Sequence, residues 1–408
     1  MIFMNYILFF IFIYTGYTVN KTYSQTNGNN TPDEEYIYLE ISNIDVAYQG
    51  YIDFSVPSKK HYFHYNMEIP FSYITKYSVN QGYFQTSDID FSSKINVSFF
   101  NNEQLIAHTL KSSMYFSKIK TNPKLEKFTF LFFPTTAVAD TLSLAHNFIS
   151  DEYNLIERLY KENIITKKKF SFYINSAFSG ELILGEIPSS IKSKFKYKSQ
   201  CNVVKQNKEN IWSCNLNSIK IKGGKDKLDI NYYVQKDNKI SYFQTTDKSI
   251  KVPRYFFDYI NETIFTEYLN KNICNSHTIG LKHFFKCECE ETYPFPTFYF
   301  EFEGMTIVLD RDMIFQDYIT VCYFQIETWD DLSNNEWVFG IPVFKMLIPE
   351  FNFDEEVITF YSKDRSILNL KESNLNISKL NIITYTFKFN MLLLSVCSIF
   401  IFIAKYTK

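Results

Sequence analysis

Few residues in this 408-residue chain sit at spacings that support catalysis or metal binding. The six histidines are scattered, and no Gly-x-Ser-x-Gly turn is present, which argues against serine or cysteine hydrolysis. His61 and His64 are three residues apart, a spacing that points them to opposite faces of a strand. A metal there would need further ligands that the sequence does not offer, so both are expected to be surface residues. Cys287-Glu-Cys289 has no histidine beside it at ligand spacing, and no metal or other cofactor is expected. Six of the seven cysteines, all but Cys397, lie between two apolar terminal segments. An even set in such a chain points to disulfides and an oxidising compartment, with 15 possible connectivities for six cysteines.

The elements that must position any site are mainly strands. Short alternating segments rich in Ile, Tyr, Phe and Val recur from residue 36 onward, for example at residues 36–41, 51–56, 95–100 and 170–174. One patch, residues 154–162, has helical spacing, with Leu155, Ile156 and Leu159 on one face. The chain has 42 basic and 44 acidic residues, a balance that carries no electrostatic footprint for nucleic acid. Tyr (31) and Phe (42) are abundant and Gly and Pro number 11 each, a bias of coding sequence that is not evidence of charge patches or prion-like tracts.

The termini set the expected compartment. Residues 2–14 (IFMNYILFFIFIY) form an apolar core of signal-peptide length, so residues 1–22 are expected to be a cleaved signal and 23–34 a disordered polar stretch. Residues 389–404 (FNMLLLSVCSIFIFIA) are apolar and precede Lys405 and Lys408, the pattern of a single span with a cytoplasmic tail at 405–408. Ser373 and Ser378 ahead of the tail suit a lipid-anchor signal instead, but the charged KYTK ending favours the span. A polar stalk at 365–388 would connect it to the ectodomain. Asn29, Asn96, Asn261 and Asn376 stand in Asn-x-Ser/Thr sequons.

Three stretches, in order, resemble the pepsin-like aspartic proteases. Residues 155–174 (LIERLYKENIITKKKFSFYI), followed by 180–187 (GELILGEI), are similar to that family's helix, turn and paired strands. Phe295, Pro296 and Phe300 before Gly304 resemble its Leu-Pro-x-Ile-x-Phe segment. Residues 337–344 (WVFGIPVF), continued by 351–361 (FNFDEEVITFY), resemble the Trp-Ile-Leu-Gly hallmark and final hairpin. The resemblance implies an all-β, bilobal fold with an inter-lobe cleft and few short helices, with lobes at 35–188 and 189–364. It places Cys289 and Cys322 where the second lobe's disulfide belongs. The pairing adopted with it is Cys201 with Cys214, Cys274 with Cys287, and Cys289 with Cys322.

The family's two catalytic motifs, each Asp-Thr/Ser-Gly, can then be located. Counting on from residues 48–57 (YQGYIDFSVP) puts the first at Asn66, Met67 and Glu68; residues 240–253 (ISYFQTTDKSIKVP) put the second at Gln244, Thr245 and Thr246. Asp-Thr-Gly and Asp-Ser-Gly occur nowhere in the chain. Hydrolysis by this fold needs two carboxyls sharing a proton, and neither Asn66 nor Gln244 titrates. The flap, expected near residues 95–106, has Phe99 in place of the family's tyrosine and lacks flanking glycines. The few residues between the expected signal and the first strand are expected to be too short for the family's usual inhibitory prosegment. The expectation is a catalytically degenerate, membrane-displayed module of the secretory pathway, at the cell surface or an organelle membrane, that holds a protein partner or peptide in its cleft. The alternative is an active endopeptidase with atypical acids, for which Glu68 and Asp247 form the nearest displaced pair.

Overall fold

The computed structural model describes residues 36–363, except 43–48, 55–59, 99–103, 117–122, 135–138, 147–149, 176–178, 205–210, 225, 235–239, 319 and 331–335. Both expected terminal apolar segments, the stalk, Phe99, Asn29 and Asn376 lie outside the described residues. No helix among the described residues is long and apolar enough to cross a membrane.

The chain is mostly β, in two large sheets of 13 and 12 strands. The first gathers every strand from Ile37–Ser42 to Ser179–Leu184 and then takes back three from later in the chain: Tyr197–Asn202, Ile348–Asn352 and Val357–Ser362. The returning hairpin joins through Phe351 opposite Phe170, and Tyr197–Asn202 pairs along Val357–Ser362. Both strands of that hairpin are buried along their whole length, as strands covered on both faces must be. The second sheet is built from strands between Ser213 and Phe339. There Pro296–Phe302 alternates buried and half-buried positions, the period-2 signature of a strand with one face on the core.

The helix forms at Leu155–Lys161 for the reasons legible in its residues. Asn154 caps it, its Oδ1 accepting from the Glu157 N–H at 3.0 Å, and Leu155, Ile156 and Leu159 are buried. Trp212 ties the sheets together. Its ring packs against Phe170, Phe351 and Phe353, and its Nε1 donates to the Leu144 carbonyl at 2.9 Å. Aromatic rings of this size remove large apolar areas from water, and the buried indole N–H finds its acceptor. Three disulfides join Cys201 to Cys214, Cys274 to Cys287 and Cys289 to Cys322.

Candidate functional site

Two loops of like construction meet at the centre. In the first, the strand Lys60–Asn66 runs parallel to Thr141–Ser143, with Asn66 opposite Ser143, and the Leu144 N–H donates to the Asn66 carbonyl at 2.7 Å. In the second, Ile240–Phe243 runs parallel to Trp337–Phe339, and the Gln244 N–H donates to the Phe339 carbonyl at 3.1 Å. Each loop therefore leaves its strand at a fixed point beside a parallel neighbour. Gly340 must be glycine for the second loop to close. A Cβ there would stand 2.3 Å from the Asp247 carbonyl oxygen and 2.4 Å from that of Ser249. The Ile341 N–H completes the contact, donating to the Asp247 carbonyl at 2.8 Å.

A hydrogen bond joins the two loops. The Thr245 hydroxyl, fully buried, donates to the Tyr65 carbonyl at 2.7 Å. Tyr65 precedes Asn66 and Thr245 follows Gln244, so this bond brings the two aligned positions to the same centre. The reciprocal brace is missing, because the matching residue of the first loop is Met67, buried and without a hydroxyl. Asn66 is 9% exposed and Gln244 6%. The Asn66 side chain turns into its own loop, its Oδ1 accepting from the N–H groups of Glu68 at 2.7 Å and Ile69 at 2.9 Å. That is an Asx-type turn held by a neutral amide. Ser143 reinforces the layer below: its N–H donates to Ser72 Oγ at 2.9 Å and its hydroxyl to the Ile69 carbonyl.

Titratable groups stand one step away from the centre. Burial, then the charge of Asp247, pushes the Glu68 carboxyl up to about 8 against the opposing pull of Lys251, with Glu336 adding to the rise. Asp247 is raised by burial too, and Lys251, whose Nζ lies 2.5 Å from Asp247 Oδ1, works against that rise. Glu68 thus lies within the field of Asp247; it stands at the glycine position of its motif and Asp247 just after the second motif, so neither takes the place of a catalytic aspartate. The surrounding charges come from farther along the chain: Lys282 pairs with Glu327, Trp329 Nε1 donates to Glu327 Oε1 at 2.8 Å, and the Lys251 ammonium lies 4.6 Å from the Trp329 ring centre. Nothing in the local sequence around Lys251, Lys282, Glu327 or Trp329 marks them, since their partners are brought in by the fold.

The expected flap is a hairpin of Ile89–Ser98 with Gln104–Tyr115, closed at Ser98 opposite Gln104. Its tip, including Phe99, lies outside the described residues. The histidine expectation needs a correction. His61 is buried rather than at the surface, its Nε2 against Asp140 Oδ2 and its ring packed on Phe63, Tyr83 and Phe84. Alternation puts residues 61, 63 and 65 on the core face, and Asp140 supplies the polar partner that makes a buried imidazole tolerable. Asp140 also accepts from the Thr75 N–H at 2.7 Å. Half-buried His64 faces the other way, and burial lowers its pKa. Cys287 and Cys289 are both in disulfides, so neither offers the thiolate a metal would take.

The comparisons with known proteins agree with this geometry. The family model for eukaryotic aspartyl proteases matches residues 133–362. The basic 7S globulin from soybean superposes with a TM-score of 0.62 at 9% identity, covering 81% of this chain and 97% of that one. Conglutin gamma, a basic 7S globulin from lupine seeds, gives 0.61 at 12% identity, with 81% and 95% covered. No curated protein sequence matches the chain. With a family model spanning more than half of its length and the bilobal fold to match, the chain belongs to the eukaryotic aspartyl protease family.

Proposed function

We propose that this chain is a pseudoprotease whose inter-lobe cleft holds a protein partner or an extended peptide segment without cleaving it, displayed from a secretory-pathway membrane by residues 389–404. The observation that carries the reading is the pair Asn66 and Gln244 at the two loop centres that Thr245 ties together. Water activation by this fold requires one ionised and one protonated carboxyl at those centres. An amide neither accepts nor delivers that proton, and Asn66 Oδ1 is already committed to two backbone N–H groups. The paired construction of the loops supports this reading, and the amides at their centres lack the groups that would hydrolyse a bound peptide.

A second reading has one observation in its favour: Glu68 is raised to about 8 by burial and then by the charge of Asp247, as one member of a displaced acid pair would be. Against it, Asp247 is tied to Lys251. Incubating the purified full chain with a peptide library between about pH 3 and pH 8 separates the two. Retention of peptides without new termini supports the pseudoprotease. Cleavage that is lost in both Glu68→Gln and Asp247→Asn supports the displaced pair. Release of soluble protein on truncation before Phe389 tests the anchor.

A further inference from the structure

Between Glu186 and Glu209 the chain carries no acid, and lysines stand at alternate positions 192, 194, 196 and 198. Folding adds a fifth. The strand Tyr197–Asn202 forms one edge of the 13-stranded sheet and pairs along Val357–Ser362, with Tyr197 opposite Ser362 and Lys198 opposite Tyr361. Lys196 and Lys363 therefore each stand one residue past the same end of that ladder. The Lys363 ammonium lies 5.3 Å from the Phe195 ring centre, and the Lys192 ammonium 5.4 Å from that of Tyr361. Lys194, Lys196, Lys198 and Lys363 are all exposed. Acids do not balance them: among the described residues Glu186 stands 3.7 Å from Lys192, Lys194 acts on Glu181, and no carboxylate pairs with Lys196, Lys198 or Lys363. Like charges brought together across a strand pair are destabilising, a cost that an anion laid along the edge removes.

We propose that this edge binds a sulfated polysaccharide. The whole chain is close to neutral, with 42 basic and 44 acidic residues, so the concentration of positive charge is local to this edge. The lysines are exposed and drawn out along the edge, which suits a ligand that repeats its charge along its length. Ammonium groups act as compact point charges and pair with sulfates without the fixed fork geometry that arginine imposes. Runs of this kind mark nucleic-acid or heparin-type patches. Display on the non-cytoplasmic face of a secretory-pathway membrane, as proposed above, selects the sulfated glycan over the nucleic acid. The inference lies outside the cleft and takes only its compartment from that reading, which a failed binding assay leaves standing.

The experiment uses the full chain in detergent and three fluorescent probes read by anisotropy: a heparin oligosaccharide, the same oligosaccharide stripped of its sulfates, and a polyglutamate peptide of matching charge. The sulfated probe is expected to bind the native chain at least about tenfold tighter than either of the others, as several exposed ion pairs together supply. Its log affinity should fall with log salt at a slope of roughly −2 to −4, the release of counterions by three or four engaged lysines. Changing Lys194, Lys196, Lys198 and Lys363 together to glutamine should remove the preference. The same loss of charge elsewhere, at the exposed Lys94, Lys111, Lys222 and Lys227, should leave it in place. Acetylation of the native complex, mapped by mass spectrometry, locates the site without any variant: Lys196, Lys198 and Lys363 should be shielded by the sulfated probe while Lys94 and Lys111 react as before. Equal binding of the sulfated and stripped probes overturns the inference, as do equal losses in the two quadruple variants or shielding away from this edge. Polyglutamate binding as tightly as the sulfated probe also overturns it and assigns the patch to an acidic protein segment.

Discussion

Replacing Thr245 by valine removes one donor and almost no volume, which makes it the cleanest perturbation of the bond between the loops. The hydroxyl is fully buried and donates at 2.7 Å to the Tyr65 carbonyl, also in the core. After the change that carbonyl faces a methyl group, and no water takes the hydroxyl's place without disturbing the packing. Leaving one buried acceptor unpaired costs about 1–3 kcal/mol. For a chain of this size that corresponds to a fall in Tm of roughly 1–4 °C, or a lower denaturant midpoint at unchanged slope. Hydrogen exchange adds the local test: the amides of Gln244 and Leu144, which donate across the paired strands, should lose protection before the rest of the sheets. Thr246→Val, one residue on, serves as control. Unchanged stability and exchange in Thr245→Val would show that the loops are held by something other than this bond.

The double variant Asn66→Asp and Gln244→Asp is expected to remain a very poor protease, because Met67 leaves one brace absent and Glu68 replaces a motif glycine. Misplacement near 1 Å costs about 100-fold in rate, so turnover of an acid-pH fluorogenic peptide should improve only when Glu68→Gly and Thr246→Gly are added. Folding stability should fall as pH rises from about 5 through 8, with a slope of at most about 1.4 kcal/mol per pH unit from Glu68. The sign follows because its carboxyl, ordinarily near 4.5, is raised to about 8 in the folded chain, so the folded state holds the proton more tightly. Urea titrations of Glu68→Gln across that range should lose this component. Opening Cys289–Cys322, which closes a loop with a sequence separation of 33, should cost about 4 kcal/mol on the chain-entropy account. A Cys289→Ser, Cys322→Ser variant as stable as the native chain would contradict it.

Much of the fold is legible in the residues because its signals are local. The capped helix at Leu155–Lys161 and the strand Lys169–Ile174 follow from patterning over fewer than ten residues, and the Trp337–Phe339 strand before Gly340 from its resemblance to the family's hallmark. The positions Asn66 and Gln244 come from the resemblance alone, by counting on from the stretches that carry it. What local sequence does not reveal is pairing across long separations. His61 reads as a surface residue until Asp140, 79 residues later, is brought beside it. Glu68 reads as the wrong residue of its turn, and only the fold sets Asp247 and Lys251 next to it. The charged corner of Lys251, Glu327, Lys282 and Trp329 is assembled from strands distant in sequence, where each residue alone looks like ordinary surface.

The central claim is that the two loop centres bind and do not cut. Its most direct test follows one defined peptide with the purified full chain at acid and neutral pH, measuring occupancy by anisotropy and intactness by mass spectrometry in the same sample. The account predicts saturable binding with the peptide recovered whole after many half-lives of the complex. Catalytic cleavage at either pH, abolished by a statine-type transition-state mimic, would contradict it.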